Sequence, residues 1–441
     1  METNEQQFVL PLEESTSGKS PNGSLKCIGS YIGCFFLLII ISLAFFKLYS
    51  TTFQGEQMPT WTHGPFDMDH GNYSDFIRTP DLSSIRQIDK ANKHPLVAVV
   101  YYQLGKWTEK YTRNQVVVCS IIVCLAILIF GIWLKSRTDT IYAVLGVLVT
   151  GSSFSVWFNG SVLESRSAIF LGAVIFLIGI DLINKYPGVW STIGSSILTI
   201  PLLGFCVPNM YLLPLIPLML MLKIKLIGFS KAILMSLLYI LLIGSFVIIG
   251  FHFISKANSG ISLKEFARVS EFESGKNTRC EYSHLILDNF KMTARQYFFC
   301  SLAGLMKPPT PQPGKLGVVK QSMWLKPDLF KMYFETPSGI FFIVLYSLTL
   351  LVLIILTIRK GYEGQLFWVL LMWIGVDIAF FTYFNPWARS PSGVEIMVPI
   401  WAIIIMGVFK LKRKLWWLLL IFAIVLFWHN AVIMEYLREL Y

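Results

Sequence analysis

Charge is scarce in this chain. Only 14% of its 441 residues are Asp, Glu, Lys or Arg, where a soluble domain carries about 25%. The deficit excludes an ordinary water-soluble fold. Metal-ligand spacing is missing too. The seven cysteines show no CxxC or Cys/His pattern, which argues against a zinc site. No convincing small-residue cleavage site follows the first apolar run, which starts near Ile28 and leads to Lys47. That run is therefore read as a membrane span and not as a signal peptide. No internal repeat is visible, which argues against transporter folds built from inverted repeats.

What the chain has in abundance is apolar surface, 54% of residues, delivered in blocks of roughly twenty. That is the length needed to cross a hydrocarbon core of about 30 Å. Eleven blocks can be drawn, at about 28–49, 115–134, 140–158, 167–183, 189–206, 209–222, 231–254, 339–358, 365–383, 394–409 and 415–433. The pair around Cys206-Val207-Pro208-Asn209 fits either two short spans or a re-entrant hairpin. The sequence thus predicts an all-α polytopic membrane protein of about 11 transmembrane helices. A disordered leader over 1–27, rich in Ser, Gly, Glu and Pro, precedes a single membrane domain over 28–441. The 13 Trp and 34 Phe suit a bilayer-facing surface with interfacial anchors.

The net charge of +11 excludes nothing until its placement is read. Lys135 and Arg137, Lys185, Lys223 and Lys225, Arg359 and Lys360, and Lys410, Lys412, Arg413 and Lys414 fall in short turns after the even-numbered blocks. Such placement is topological and not that of a nucleic-acid binder. Basic turns stay inside, so the N-terminus is expected inside and the C-terminus outside. Two long outer loops follow, about 50–114 and 255–338. Within the first, Leu82–Ala91 and Leu96–Trp107 are candidate interfacial helices.

The first outer loop holds Phe66-Asp67-Met68-Asp69-His70-Gly71-Asn72-Tyr73-Ser74-Asp75. A carboxylate here can serve as general base towards an acceptor hydroxyl or help to bind a cation; a solvated polar loop reads equally well. Farther on, Asn92-Lys93-His94-Pro95-Leu96 leads into a Tyr-rich apolar stretch. An acidic motif after the first span and a His-Pro-Leu run before the second resemble the GT-C superfamily of glycosyltransferases. The branch concerned holds the protein O-mannosyltransferases and bacterial aminoarabinose transferases. That branch often carries Asp-Glu-x-x-Tyr and then His-Pro-Pro-Leu-Tyr. Here Asp69 and Tyr73 match, His70 stands in place of Glu, and His94-Pro95-Leu96 lacks one proline. Leu163-Glu164-Ser165-Arg166 at the entrance of the fourth span and Asn385-Pro386-Trp387-Ala388-Arg389 before the tenth extend the resemblance.

The resemblance implies a polyprenyl-phosphate-linked sugar as donor and a glycan, lipid or protein hydroxyl as acceptor. Asp69, or next Asp67, would be the base. Arg389, or next Arg166, would stabilise the departing phosphate, because a guanidinium grips two of its oxygens. Asp67 and Asp69 are also spaced to hold a divalent ion, although that branch does not generally depend on one. A bacterial inner membrane and surface-glycan modification, O-antigen included, suit the chain length, with the endoplasmic reticulum as alternative. Asp377 lies inside the ninth span, where an ionisable residue is a site candidate by default. Asp181, four residues before Lys185, reads as a local ion pair. Cys280 and Cys300 share the second outer loop and are candidates for a disulfide. Asn72 and Asn159 open sequons on the outer side. The competing class is a transporter or flippase of a lipid-linked or anionic substrate, which needs polar residues near mid-membrane. The orientation is testable: Ser270→Cys should react with an impermeant maleimide added outside, and labelling only from the cytoplasmic face would overturn it.

Overall fold

In the computed structural model, residues 21–53, 95–112, 114–259, 286–295, 337–361, 364–384, 393–411 and 415–440 are described. Among them every regular element is a helix. The helices are α1 (Pro21–Thr52), α2 (Pro95–Thr108), α3 (Val116–Lys135), α4 (Thr140–Ser152), α5 (Phe154–Ser161), α6 (Arg166–Lys185) and α7 (Val189–Phe205). A 3₁₀ turn (Val207–Leu212) leads to α8 (Leu215–Leu222), and a short turn (Ile224–Ile227) to α9 (Phe229–Ser259). Then come α10 (Ile286–Arg295), α11 (Pro337–Gly361), α12 (Gln365–Phe384), α13 (Met397–Leu411) and α14 (Trp416–Leu440).

Six of these helices are long and apolar enough to cross a bilayer, and seven if α4 and α5 count as one bent span. The protein is therefore a helical membrane protein. Each of the eleven apolar blocks coincides with helical structure, but α7, the α8 region, α11 and α13 give only shorter apolar helices. Helix is the only regular structure these runs can adopt in lipid short of a closed barrel, since every backbone amide must find its partner locally. Bands of exposed aromatics suit an interface: Tyr186, Trp190, Trp416 and Trp417 towards one end, Trp107 and Tyr111 towards the other.

The block at 140–158 is not one straight span. It breaks between Ser152 and Phe154 with a bend of 64°. A break frees carbonyls; two other helices take up two of them, and a third bonds the hydroxyl of Ser153. Tyr49 of α1 donates its hydroxyl to the Gly151 carbonyl at 2.6 Å. Asn430 of α14 donates its amide to the Ser152 carbonyl at 2.7 Å. Trp401 of α13 donates its indole N–H to Ser153 Oγ at 3.0 Å. A side chain on Gly151 would meet the Phe45 ring at 2.5 Å, so α1 can come this close only against glycine. The bent helix is thus the centre around which α1, α3, α13 and α14 gather.

The α6–α7 pair is held by small residues. A Cβ on Gly172 would lie 3.0 Å from the Leu202 backbone, and Ser195 Oγ donates to the Gly179 carbonyl at 2.7 Å. From Phe205 the chain turns and runs back. Gln365 Nε2 reaches the Leu222 carbonyl at 2.5 Å, and Gly364 beside it lies near Lys410. Lys185 Nζ meets Ser136 Oγ at 3.5 Å. Among the described residues, the turns carrying Ser136 and Lys185 thus meet each other, as do those carrying Leu222, Gly364 and Lys410.

Asp181, 3% exposed, anchors the first of these contacts. Lys185 Nζ approaches it at 3.4 Å, so the local pair read from sequence is present. The sequence could not show its other partners, Trp133 Nε1 and Arg137 Nε, each at 3.0 Å, with a second contact from Arg137 Nη2. Asn159 is fully buried and donates to the Ser155 carbonyl at 2.7 Å, so this sequon is closed to glycosylation in the folded protein. If the break is held as described, Tyr49→Phe and Asn430→Leu should each destabilise the protein by roughly 1–2 kcal/mol. Thermal midpoints in detergent should show the double variant departing from additivity, because both side chains serve one break.

Candidate functional site

Of the residues singled out from sequence, Asp67, Asp69, His70, Tyr73, His94 and Arg389 lie outside the described residues, as do Asn72, Cys280 and Cys300. Glu164, Arg166 and Asp377 are described. They sit in two networks away from the basic turns.

The first network surrounds the turn that opens α6. The sequence starts a helix at Pro95 because proline fixes φ and lacks the N–H that a first turn leaves unused. Helix α2 follows, but not as a merely superficial element. Val97, Ala98 and Tyr101 are fully buried. The Tyr101 hydroxyl donates to the Glu164 carbonyl at 2.5 Å. It also lies 2.6 Å from Ser167 Oγ and 3.3 Å from Cys119 Sγ. Glu164 itself is 9% exposed, and one carboxylate oxygen accepts from the Ser165 backbone N–H and hydroxyl, each at 3.1 Å. Arg166, half-buried, is the first residue of α6. An acid and a base thus flank one turn, and the helix that follows His94-Pro95 is tied to it by Tyr101.

The second network lies where the 3₁₀ turn meets α12. Asp377 is fully buried in an otherwise apolar helix, and Tyr211 donates its hydroxyl to the Asp377 carboxylate. Tyr211 is itself fixed by stacking on Phe380, with centroids 4.1 Å apart, and by an edge contact to Phe381 at 5.6 Å. One turn before Asp377, Trp373 meets Phe176 of α6 at 5.3 Å, so the helix that begins just after Glu164 packs against the one carrying Asp377. Tyr211 and the fully buried Glu395 escaped the sequence reading. Glu395 had a usable signal, a carboxylate just ahead of an apolar run. Tyr211 had none, because a tyrosine in a Pro-rich turn looks like any interfacial anchor.

Chemically, the described residues offer buried carboxylates with hydroxyl neighbours and one arginine at a helix start. Among them no group of three or more His, Cys, Asp or Glu side chains is placed to hold a metal ion. No family model matches the chain, and neither the curated proteins nor the solved structures contain a match to it.

The two tyrosines should behave differently on removal of their hydroxyls. The Glu164 carbonyl also receives Ser167 Oγ, at 3.1 Å, whereas Tyr211 serves a carboxylate inside a span. Tyr211→Phe should cost about 1–3 kcal/mol and Tyr101→Phe about 1 kcal/mol or less. Reversible unfolding in mixed micelles checks the order, and equal losses would count against the account of Asp377.

Proposed function

We propose that this protein is a GT-C-like glycosyltransferase. It would move a sugar from a polyprenyl-phosphate donor to a hydroxyl of a surface glycan, lipid or protein, on the outer side of a bacterial plasma membrane. In this reading the chain crosses eleven times, with its N-terminus inside. The observation that carries the proposal is the polarity of the bundle. The basic turns Ser136–Asp139, Lys185–Gly188, Lys223 and Gly364 gather at one end. The start of α6, the buried part of α2 and the helix start after Glu395 belong to the other, together with the chain ends at Phe53 and Pro95 that bracket Asp67 and Asp69. In this reading the outer-loop acids, His94, Glu164 and Arg166 act from one side of the membrane.

The chemistry balances without a redox partner. The carboxylate of Asp69, or of Asp67, takes the proton of the acceptor hydroxyl. The hydroxyl oxygen attacks the anomeric carbon from the face opposite the leaving group, and the new C–O bond forms as the old one to phosphate breaks. Configuration inverts, and polyprenyl phosphate departs with the bonding pair. Arg389, or Arg166, neutralises its charge, which is where electrostatic stabilisation is most effective. Tyr73, His70 and His94 line the approach in this reading, with Glu164 holding the turn before Arg166.

Two features favour the second reading, a transporter or flippase: Asp377 inside a span and the broken α4–α5 helix. Discontinuous helices in transporters expose carbonyls to their cargo. Here the carbonyls of Gly151 and Ser152 accept from Tyr49 and Asn430, which weakens the comparison.

Purified protein given a polyprenyl-phosphate hexose and an acceptor should transfer the sugar. Asp69→Asn should lower the rate by about 10²–10⁴-fold, the usual contribution of a general base, without moving the thermal midpoint. Full activity in both Asp69→Asn and Asp67→Asn would eliminate the mechanism. Movement of an intact lipid-linked sugar across proteoliposomes, with no transfer, would establish the alternative.

A further inference from the structure

A topological charge only has to be on the correct side of the bilayer. At the basic end of this protein cations are also drawn together. Arg137 from the α3–α4 turn and Lys185 from the end of α6 converge on the single carboxylate of Asp181. Lys223, from the turn after α8, joins them. Its own burial, and then the charge on Arg137, hold the Lys223 ammonium below its ordinary pKa. Lys135 lies beside the group, its ammonium 5.0 Å from the centre of the Tyr31 ring. Asp139, the other acid in these described turns, is occupied as the N-cap of α4, accepting from the Tyr142 N–H at 3.2 Å. Two cations from separate turns therefore share one anion, and Lys223 adds a third charge outside those contacts, at partial burial where like charges repel strongly. Beside them Tyr186 and Trp190 are 68% and 83% exposed, the placement of residues that sit among lipid headgroups.

We propose that this cluster is a binding site for the headgroup of an anionic phospholipid, with Lys185 and Lys223 facing the phosphate and Tyr186 and Trp190 flanking its glycerol and upper chains. The phosphate supplies the negative charge that the cluster lacks. A lipid fits better than a free anion because the exposed Tyr186 directly follows Lys185, with the exposed Trp190 four residues on. Basic pockets between transmembrane helices hold acidic lipids by this combination of charge and apolar contact. The site is independent of any sugar transfer at the opposite end.

The test uses the full chain in a neutral detergent. Dioleoyl-phosphatidylglycerol, dioleoyl-phosphatidylcholine and inorganic phosphate are titrated separately, with native mass spectrometry and the thermal midpoint as readouts. Phosphatidylglycerol should be retained and should raise the midpoint by several degrees, while the other two do neither. Lys223 stands outside the Asp181 contacts, so Lys223→Gln should fold and weaken phosphatidylglycerol binding about fivefold, and Lys223→Arg should restore it. Lys106→Gln, in α2 at the other end, should change nothing. Equal retention of phosphatidylcholine, or an equal effect of Lys106→Gln, would overturn the site by showing only diffuse attraction. A midpoint shift reproduced by inorganic phosphate would overturn the lipid assignment.

Discussion

The broken helix α4–α5 is the constraint on which the rest of the bundle depends. Inside a bilayer a free carbonyl has no water to turn to, so the break can exist only where other helices complete it. Tyr49, Trp401 and Asn430 come from the beginning and the end of the chain. Their three hydrogen bonds therefore fix more than a local geometry. They set the distance from α1 to α13 and α14 across some four hundred residues of sequence, and Gly151 allows α1 the necessary approach. Lipid tails are as apolar as leucine and supply no hydrophobic force between helices. Close contact at glycine and serine, together with these polar links, is what remains to hold the assembly.

The second organising feature is the separation of charge along the bundle axis. Asp181 gathers Arg137, Lys185 and Trp133 at one end, while Glu164 and Glu395 are buried away from that end. The two sets differ in kind. The Asp181 group is an ion cluster that ties α3 to α6. At Glu164, by contrast, the Tyr101 and Ser167 hydroxyls donate to the backbone carbonyl, and the carboxylate accepts from the Ser165 N–H and hydroxyl.

Much of the architecture was legible in the sequence because a helix in lipid announces itself by composition and length alone. Each apolar block falls on helix, and Pro95 marks the start of α2 where proline chemistry says it should. What escaped are features decided by distant partners. Nothing in Thr150-Gly151-Ser152-Ser153 distinguishes a 64° bend from a straight helix with small residues, since the side chains that permit it come from α1, α13 and α14. The Asp181–Lys185 pair was readable at i, i+4 spacing, but Arg137 and Trp133 were not. Asn159 carried a sequon and proved to be core, because a three-residue motif contains no information about burial. The site was less legible than the fold for the same reason: short motifs name residue types, and only packing decides which of them face one another.

The hairpin of α7 and α8 has a consequence for how the protein is made. It leaves from beside Lys185 and returns to Leu222 at the same end of the bundle. At about 25 Å and 12 Å for the two arms, neither helix is long enough to act as a strong stop or start signal during synthesis. A unit that begins and ends on one face adds nothing to the parity of crossings. Whether it enters the bilayer early, late or only part-way, α9 and every later helix receive the same direction. The machinery that inserts the chain can therefore leave this segment until α6 and α12 are in place to receive Gly172's partner and Tyr211, and the orientation of the C-terminal half does not wait on it.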